Sequence, residues 1–151
     1  MWFSRKQAAP LPPNDAVGAA AALPAQVTTK SRGDAAESAA RAYLLRAGLK
    51  FIEANYRTPG RGGGEIDLVM RAADGTLVFV EVRQRSGASH GGAAASISAV
   101  KQRRIVFAAR HYLMRFASAP PCRFDVLLVQ GAPSDQLQAR IEWLPAAFDA
   151  S

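Results

Sequence analysis

The sequence has few of the features that mark secreted or membrane-inserted proteins. It contains one cysteine, Cys122, which excludes an intrachain disulfide and a cysteine-rich zinc site. No apolar run approaches the ~20 residues that cross a bilayer. The N-terminal run AVGAAAAL is short, weakly hydrophobic and preceded by Asp15, which argues against a signal peptide. We therefore expect no membrane partner and a cytoplasmic location.

Acidic residues are also scarce, and the charge is unevenly distributed. The chain has 19 Lys and Arg against 12 Asp and Glu, for a net charge of +7. Between Glu81 and Arg115 there are seven basic residues and one acid. A local excess of this size favours a phosphate-bearing partner, although a solvated basic face would have the same composition.

The N-terminal segment differs from the rest of the chain. Residues 1–30 are rich in alanine and proline and have little hydrophobic periodicity. This composition predicts a disordered basic tail over residues 1–30. Residues 31–151 are then long enough for one domain with a buried core.

Hydrophobic periodicity predicts a mixed α/β order for that domain. A helix should begin near Asp34, as its N-cap, and end at Gly48, with an apolar stripe of Ala40, Tyr43, Leu44 and Ala47. A second helix is expected from about Ala95 to Phe116. The predicted strands are LKFIEANYR, the two arms of a hairpin within GEIDLVMRAADGTLVFVEVRQR, RFDVLLVQ and ARIEWL. The fold class is therefore α/β, with an antiparallel hairpin and a later strand reached through a helical crossover.

The hairpin has two candidate registers. A two-residue Asp74-Gly75 loop would place Asp67 opposite Val82. A three-residue loop ending at Gly75 would instead pair apolar residues along one whole face: Ile66 with Val82, Leu68 with Val80, and Met70 with Val78. Burial favours this second register, because it collects the apolar side chains on one face.

The favoured register brings acidic residues together. It places Asp67 opposite Glu81 and Glu65 opposite Arg83. Directly opposed carboxylates destabilise a sheet unless they share a proton, gain a basic partner or bind a metal ion. Mg²⁺ or Mn²⁺ would suit such oxygen ligands. The alternative is an open sheet edge where Arg83, Arg85 and water satisfy the acids.

One residue on each predicted helix points toward the same place. Glu37 shares a helix side with Ala40 and Leu44, although with Asp34 it would also fit a capping box. Lys101 falls within the apolar arc of the second helix. Its amine must therefore either extend along the surface to water or reach a buried anion. Arg103 and Arg110 project from the opposite side of that helix.

These residues resemble the uncharacterised bacterial YraN family. The resemblance rests on Glu37, Asn55-Tyr56-Arg57, GGGEIDL, LVFVEVRQR, Lys101 and RFDVLLV, which occur in this order between about residues 31 and 130. It implies the restriction-endonuclease-like nuclease fold, which is similar to that of archaeal Holliday-junction resolvases. It also implies catalytic roles for Glu37, Asp67 and Glu81 and a metal held by Asp67, Glu81 and the Val82 carbonyl. The pattern of that fold gives Glu65 no role, and we expect this side chain to lie behind the metal ligands.

Arg83 departs from the pattern of that fold, which has lysine at this position. Arginine stays charged at any working pH, so it cannot take a proton from water, but it can stabilise a phosphate. Gln84 or Lys101 would then have to position the water.

Two functions remain open from the sequence. The first is a metal-dependent DNA endonuclease, in which Arg83 and Lys101 assist catalysis and the basic residues Arg85, Arg103, Arg104 and Arg110 contact flanking phosphates. The second is a nucleic-acid-binding module that keeps the fold without turnover. A protein scaffold would leave the acidic pair unexplained. Symmetric cutting of two strands would require a homodimer.

Overall fold

The computed structural model describes residues 29–85, 97–130 and 140–150. These residues form two α-helices and five β-strands. In chain order they are α1 (Thr29–Arg46), β1 (Lys50–Arg57), β2 (Glu65–Arg71), β3 (Leu77–Arg85), α2 (Ala99–Leu113), β4 (Cys122–Gln130) and β5 (Arg140–Phe148).

The five strands form one mixed sheet in the order β1-β2-β3-β4-β5. Neighbouring strands are antiparallel except β3 and β4, which run parallel from Leu77↔Cys122 to Arg85↔Gln130. A parallel pair needs a crossover connection, and α2 lies between these two strands in the chain. The predicted α/β class, hairpin and helical crossover are confirmed.

The two helices pack on opposite faces of the sheet. Alternate residues of β3 point to opposite sides. Val78 and Val80 belong to a buried cluster with Ala40 and Leu44 of α1. Phe79 belongs to a second cluster, in which its ring lies edge-on to Tyr112 of α2, with the ring centroids 5.7 Å apart. The sheet is therefore buried on both faces near its centre.

The first helix differs from its prediction at both ends. It begins at Thr29, so Asp34 lies inside the helix and the predicted N-cap and capping box are wrong. The helix continues past Asp34 through Gly33, Ser31 and Thr29, which favour helix weakly, so local propensity does not explain the earlier start. Ala47 is exposed in the turn after the helix and does not extend the apolar stripe. The rest of the predicted tail, residues 1–28, lies outside the described residues.

The second helix is shorter than predicted. It begins at Ala99, because the Ser98 hydroxyl accepts a hydrogen bond from Lys101 N at 3.1 Å and caps the first turn. It ends at Leu113. Residues 95 and 96, at the predicted start, lie outside the described residues. Neither helix in the described part of the chain has the length and apolar character needed to cross a membrane.

The hairpin adopts the three-residue loop. Leu68 pairs with Val80 and Met70 with Val78, as predicted. Gly75 has φ of 93°, and Ala72 N donates to Thr76 O at 2.9 Å across the loop. A left-handed residue at this point closes a three-residue hairpin loop, and glycine adopts that conformation without steric cost.

The prediction of one continuous apolar face is wrong at Ile66. Leu68 and Met70 pack in the cluster that contains α1, whereas Ile66 packs with Ile105 and Ala108 in the cluster that contains α2. The break in alternation falls at Asp67. The paired strand β1 is irregular at the same level, because Asn55 has φ of 55°.

Candidate functional site

Asp67 is held where β2 and β3 separate. The paired residues of the two strands run from Arg71↔Leu77 to Leu68↔Val80, and Asp67 follows just beyond. There the Asp67 Oδ2 atom accepts a hydrogen bond from Val82 N at 2.8 Å. The Asp67 side chain thus accepts the hydrogen bond of a β3 amide that would pair with a β2 carbonyl in a longer ladder. This bond fixes the carboxylate between the two strands.

Glu81 lies beside Asp67 and is 7% exposed. Its Oε2 atom is 3.7 Å from Lys101 Nζ. Its Oε1 atom is buried and has no hydrogen-bond partner among the described residues. A buried carboxylate oxygen without a partner is costly, so the site favours either a proton or a cation at this atom.

Burial raises the pKa of each of these acids. Burial raises the pKa of Glu81 to about 8, and the Asp67 carboxylate adds to the increase, whereas Lys101 and Arg83 oppose it. Burial also raises the pKa of Asp67, against the hydrogen bond from Val82. Burial and the charge of Asp67 raise the pKa of Glu37 to about 7. Asp67 thus lies within electrostatic range of both Glu37 and Glu81, and the roles predicted for the three acids stay predictions.

Asn55 is a site residue that the sequence analysis did not single out. It lies between the pairs Ala54↔Leu68 and Tyr56↔Ile66, at the level of Asp67. Its side chain hydrogen-bonds Glu37, which lowers the pKa of Glu37 against the effect of burial. A left-handed non-glycine residue is uncommon in a strand, and strained backbone of this kind concentrates at functional sites. The available signal was an asparagine inside an otherwise regular strand pattern.

Lys101 reaches the acids because α2 lies close to the start of β2. A Cβ added to Gly64 would be 1.9 Å from the carbonyl oxygen of Arg104, so only glycine permits this approach. The contact fixes the first turns of α2 near Asp67. Of the two alternatives for Lys101, the amine reaches a buried anion, while its side chain stays 40% exposed.

The remaining predicted residues around the acids have different positions. Glu65 pairs with Arg57 on β1 and forms an ion pair with it at 3.6 Å, so the predicted pairing of Glu65 with Arg83 is wrong. The backbone pairing of β2 with β3 ends at Leu68↔Val80, before it reaches Glu65, so the hairpin register does not place Glu65 opposite Arg83. Arg83 contributes positive charge near Glu81.

The predicted phosphate-contacting arginines are exposed but do not converge on the acids. Arg103 and Arg110 lie roughly 200° and 180° around α2 from Lys101, on the outer face of the helix. Arg104 lies roughly 300° around α2 from Lys101 and is also exposed, and its carbonyl lies against Gly64. The side chain of Arg85 lies outside the described residues.

A second buried carboxylate, Asp125, has a structural role. It is 0% exposed, and five hydrogen bonds of 2.9–3.3 Å reach it from Arg123, Trp143 and Ala146 N. Because both oxygens are satisfied by the protein, Asp125 offers no place for a ligand. It instead holds β5 against β4 where their register shifts.

The donor set fits a hard divalent cation in part. Within residues 29–85, 97–130 and 140–150, no group of three or more histidine, cysteine, aspartate or glutamate side chains forms a metal site. Asp67 and Glu81 supply two carboxylates, and the free Glu81 Oε1 atom is an available ligand. Mg²⁺ often uses only one or two carboxylates and keeps several waters, so this smaller set fits it.

The chain is thus a small α/β domain whose mixed sheet carries a buried pair of carboxylates beside a lysine. Comparison with known proteins assigns it to a family: residues 36–129 match the model of "Uncharacterised protein family UPF0102", and the chain belongs to that family. This confirms the expected family relationship at that level.

Similar relatives come from several bacteria. The chain is 80% identical over 153 residues to a "UPF0102 protein" of Polaromonas naphthalenivorans (strain CJ2), with all of both chains covered. It is 73% identical over 153 residues to one of Polaromonas sp. (strain JS666 / ATCC BAA-500), again with both chains fully covered. Identity is 64% over 123 residues to one of Albidiferax ferrireducens, covering 82% of this chain and 91% of the relative.

Proposed function

We propose that this protein is a metal-dependent DNA endonuclease that hydrolyses phosphodiester bonds, with branched or otherwise structured DNA as its preferred substrate. The observation that carries the proposal is the buried, unpartnered Glu81 Oε1 atom beside Asp67. Two adjacent buried carboxylates destabilise the folded chain unless they share a proton, gain a basic partner or bind a cation, and a cation is the partner that also leaves both acids charged. Mg²⁺ or Mn²⁺ would supply the missing positive charge and a Lewis acid.

The arrangement of elements supports a restriction-endonuclease-like fold for this site. A helix, three antiparallel strands, a second helix and a parallel strand follow one another, and the acids lie on α1, β2 and β3. The expected pattern has its catalytic lysine two residues after the glutamate of β3, where this chain has Arg83. Lys101 brings an amine to within 3.7 Å of Glu81 from α2 instead. This contact supports an assignment of the lysine role to Lys101.

Each residue then has a distinct role. Asp67, Glu81 and the Val82 carbonyl hold the cation. Lys101 positions water and the scissile phosphate, and Arg83 stabilises the negative charge that develops on the phosphate. Glu37, which Asn55 hydrogen-bonds, adds a third acidic group next to Asp67. The exposed arginines of α2, Arg103, Arg104 and Arg110, bind phosphates farther along the substrate, since guanidinium groups pair well with phosphate oxygens.

The test compares cleavage of duplex, flap and four-way DNA by the full chain in Mg²⁺, in Mn²⁺ and in EDTA. We expect metal-dependent cleavage of at least one substrate and its loss in Asp67→Ala. Lys101→Met should slow cleavage by about 100-fold or more, the scale of a lost proton-transfer or charge-stabilising group. Asp74→Asn, a change in the exposed hairpin turn, is the matched control and should leave the rate unchanged. Equal cleavage by wild type and Asp67→Ala would reject the proposal.

Arg83 favours a second candidate, a nucleic-acid-binding module without turnover. That module would bind DNA with an affinity that falls steeply as salt rises, and no substrate would be cut. Calorimetric titration with Mn²⁺ separates the two. The enzyme requires metal binding that Glu81→Gln abolishes, whereas the module has no such requirement.

A further inference from the structure

A pocket lies between α1 and β1, next to the acid cluster. Its volume is about 230 Å³. Four polar side chains of α1 line one wall, Asp34, Glu37, Ser38 and Arg41, and Asn55 of β1 lines the other. The apolar residues Ala54 and Leu68 complete the lining. The volume is several times that of a water molecule, which takes about 30 Å³ of liquid, so a small ring system fits and a bare cation would be loose.

Two residues connect this pocket to the acid cluster. Glu37 lines the pocket and lies within electrostatic range of Asp67. Asn55 also lines the pocket, and its amide hydrogen-bonds Glu37. Asn55 has a left-handed backbone and lies between the pairs Ala54↔Leu68 and Tyr56↔Ile66, at the level of Asp67. A ligand in the pocket would therefore lie directly beside the proposed reaction centre.

The chemistry of the pocket selects a neutral ligand with hydrogen-bond donors. Two carboxyl groups, Asp34 and Glu37, and one guanidinium, Arg41, line it, so a ligand with hydrogen-bond donors is favoured over a phosphate. Carboxylates and asparagine amides read base edges, and a carboxylate accepts from the amino group of cytosine. The Arg41 guanidinium carbon lies 4.2 Å from the centroid of the Phe51 ring, which holds this arginine beside the β1 surface. The apolar floor suits the face of a ring.

From these observations, and resting on the proposed nuclease function, we infer that the pocket receives one unpaired nucleobase of the substrate and favours bases that carry an exocyclic amino group. A base displaced from its stack at a branch point would occupy the pocket while the neighbouring phosphate lies at Asp67 and Glu81. The pocket thereby favours structured DNA over regular duplex. The free energy needed to extrude a base is lowest where base pairing is already interrupted.

Binding of free nucleosides tests the pocket independently of metal binding and of DNA cleavage. The full chain in EDTA is titrated with 5-methyl-2′-deoxycytidine and with thymidine, and binding is followed by NMR chemical shifts. Neither probe carries a phosphate, and the two differ at the amino edge. We expect shifts at the amides of Ser38 and Asn55. Binding of the cytosine analogue should be about tenfold tighter, the scale of one good base-edge contact.

Two tryptophan variants supply the matched comparison. Ser38 is exposed on the pocket side of α1, so Ser38→Trp should fill the pocket and weaken nucleoside binding by about tenfold. Leu45 is exposed on the same helix and does not line the pocket, so Leu45→Trp should bind as wild type does. Unchanged binding in Ser38→Trp, or equal binding of the two nucleosides, would overturn the inference.

The outcome separates this inference from the nuclease proposal. Asp67→Asn should retain nucleoside binding, because Asp67 does not line the pocket. Nucleoside binding without DNA cleavage would reject the nuclease and keep the base pocket. DNA cleavage without nucleoside binding would reject the base pocket and keep the nuclease.

Discussion

The Asp67 carboxylate accepts the Val82 backbone N–H at 2.8 Å, at the point where β2 and β3 cease to pair. One oxygen of Asp67 is thereby committed to the fold, and the other is left to the site. The same contact brings Asp67 beside Glu81, whose Oε1 atom has no partner in the described residues. Asp67 thus has two roles, as the acceptor of a structural hydrogen bond and as a candidate metal ligand. Substitutions that keep one role and remove the other can separate their effects.

Asp67→Asn and Asp67→Ala should differ in stability. Asparagine keeps an oxygen that can accept from Val82 N, whereas alanine leaves this amide without its partner, which costs about 1–3 kcal/mol. In EDTA at pH 8, we expect Asp67→Asn to be at least as stable as wild type, because a carboxylate beside Glu81 is removed. Urea unfolding measures both. Equal stability of the two variants would mean that the bond to Val82 contributes nothing.

Stability without metal should fall as the pH rises. The pKa of Glu81 is about 8 in the folded chain against an ordinary 4.5, so the folded state binds more protons than the unfolded state between these values. Stability then decreases with pH through this window, by about 3 kcal/mol from pH 5 to pH 8. Glu37, with a pKa of about 7, adds to the same slope. Urea unfolding in EDTA at several pH values measures the slope.

The control for this pH dependence is a pair of glutamine variants. Glu81→Gln should remove the part of the slope that Glu81 contributes and leave the part from Glu37, whereas Glu53→Gln, in a half-exposed ion pair with Arg115, should leave the whole slope intact. Added Mg²⁺ or Mn²⁺ should restore stability at pH 8 in wild type and not in Glu81→Gln, since a ligand that binds the folded state stabilises it. A flat profile in wild type would contradict the raised pKa values.

Gly64→Ala should disrupt the site from a distance. The new Cβ would lie 1.9 Å from the Arg104 carbonyl oxygen, and α2 would have to move away. We expect a loss of about 2 kcal/mol or more, together with weaker Mn²⁺ binding as Lys101 leaves Glu81. Gly33→Ala is the matched control, because no atom lies within 4 Å of its added Cβ. That change should be neutral or stabilising by up to ~1 kcal/mol in a helix. Thermal unfolding and Mn²⁺ titration are the measurements.

Asp125→Ala should be the most destabilising single change among the acids. It would leave Arg123, Trp143 Nε1 and Ala146 N without their acceptor, and breaking a buried, fully bonded carboxylate costs about 3–5 kcal/mol. Asp125→Asn keeps one accepting oxygen and should lose less. Both variants should leave the site residues unchanged, so the folded fraction should bind Mn²⁺ as wild type does. A loss below 1 kcal/mol in urea unfolding would show that β5 is held by other contacts.

The hairpin shows how far sequence patterns reach. Alternation of apolar residues along β2 and β3 predicted the pairs Leu68↔Val80 and Met70↔Val78, since a slip of one residue would move every side chain to the other face. The same pattern was misleading at Ile66. It assumes a regular strand, and the left-handed Asn55 on the neighbouring strand marks where regularity ends. The start of α1 was also misjudged: Asp34 would suit an N-cap, but the helix continues past it to Thr29 through Gly33, which local propensity does not explain.

The composition and periodicity of the chain determined the order of its elements, the hairpin register and the meeting of Asp67 with Glu81. These features depend on neighbours in sequence or on one tight turn. Only the tertiary structure decided that Lys101 reaches Glu81, that Asn55 holds Glu37 and that one Glu81 oxygen stays without a partner. Those relationships depend on how α1 and α2 pack against the sheet, and such packing joins residues far apart in the chain, which no local pattern encodes.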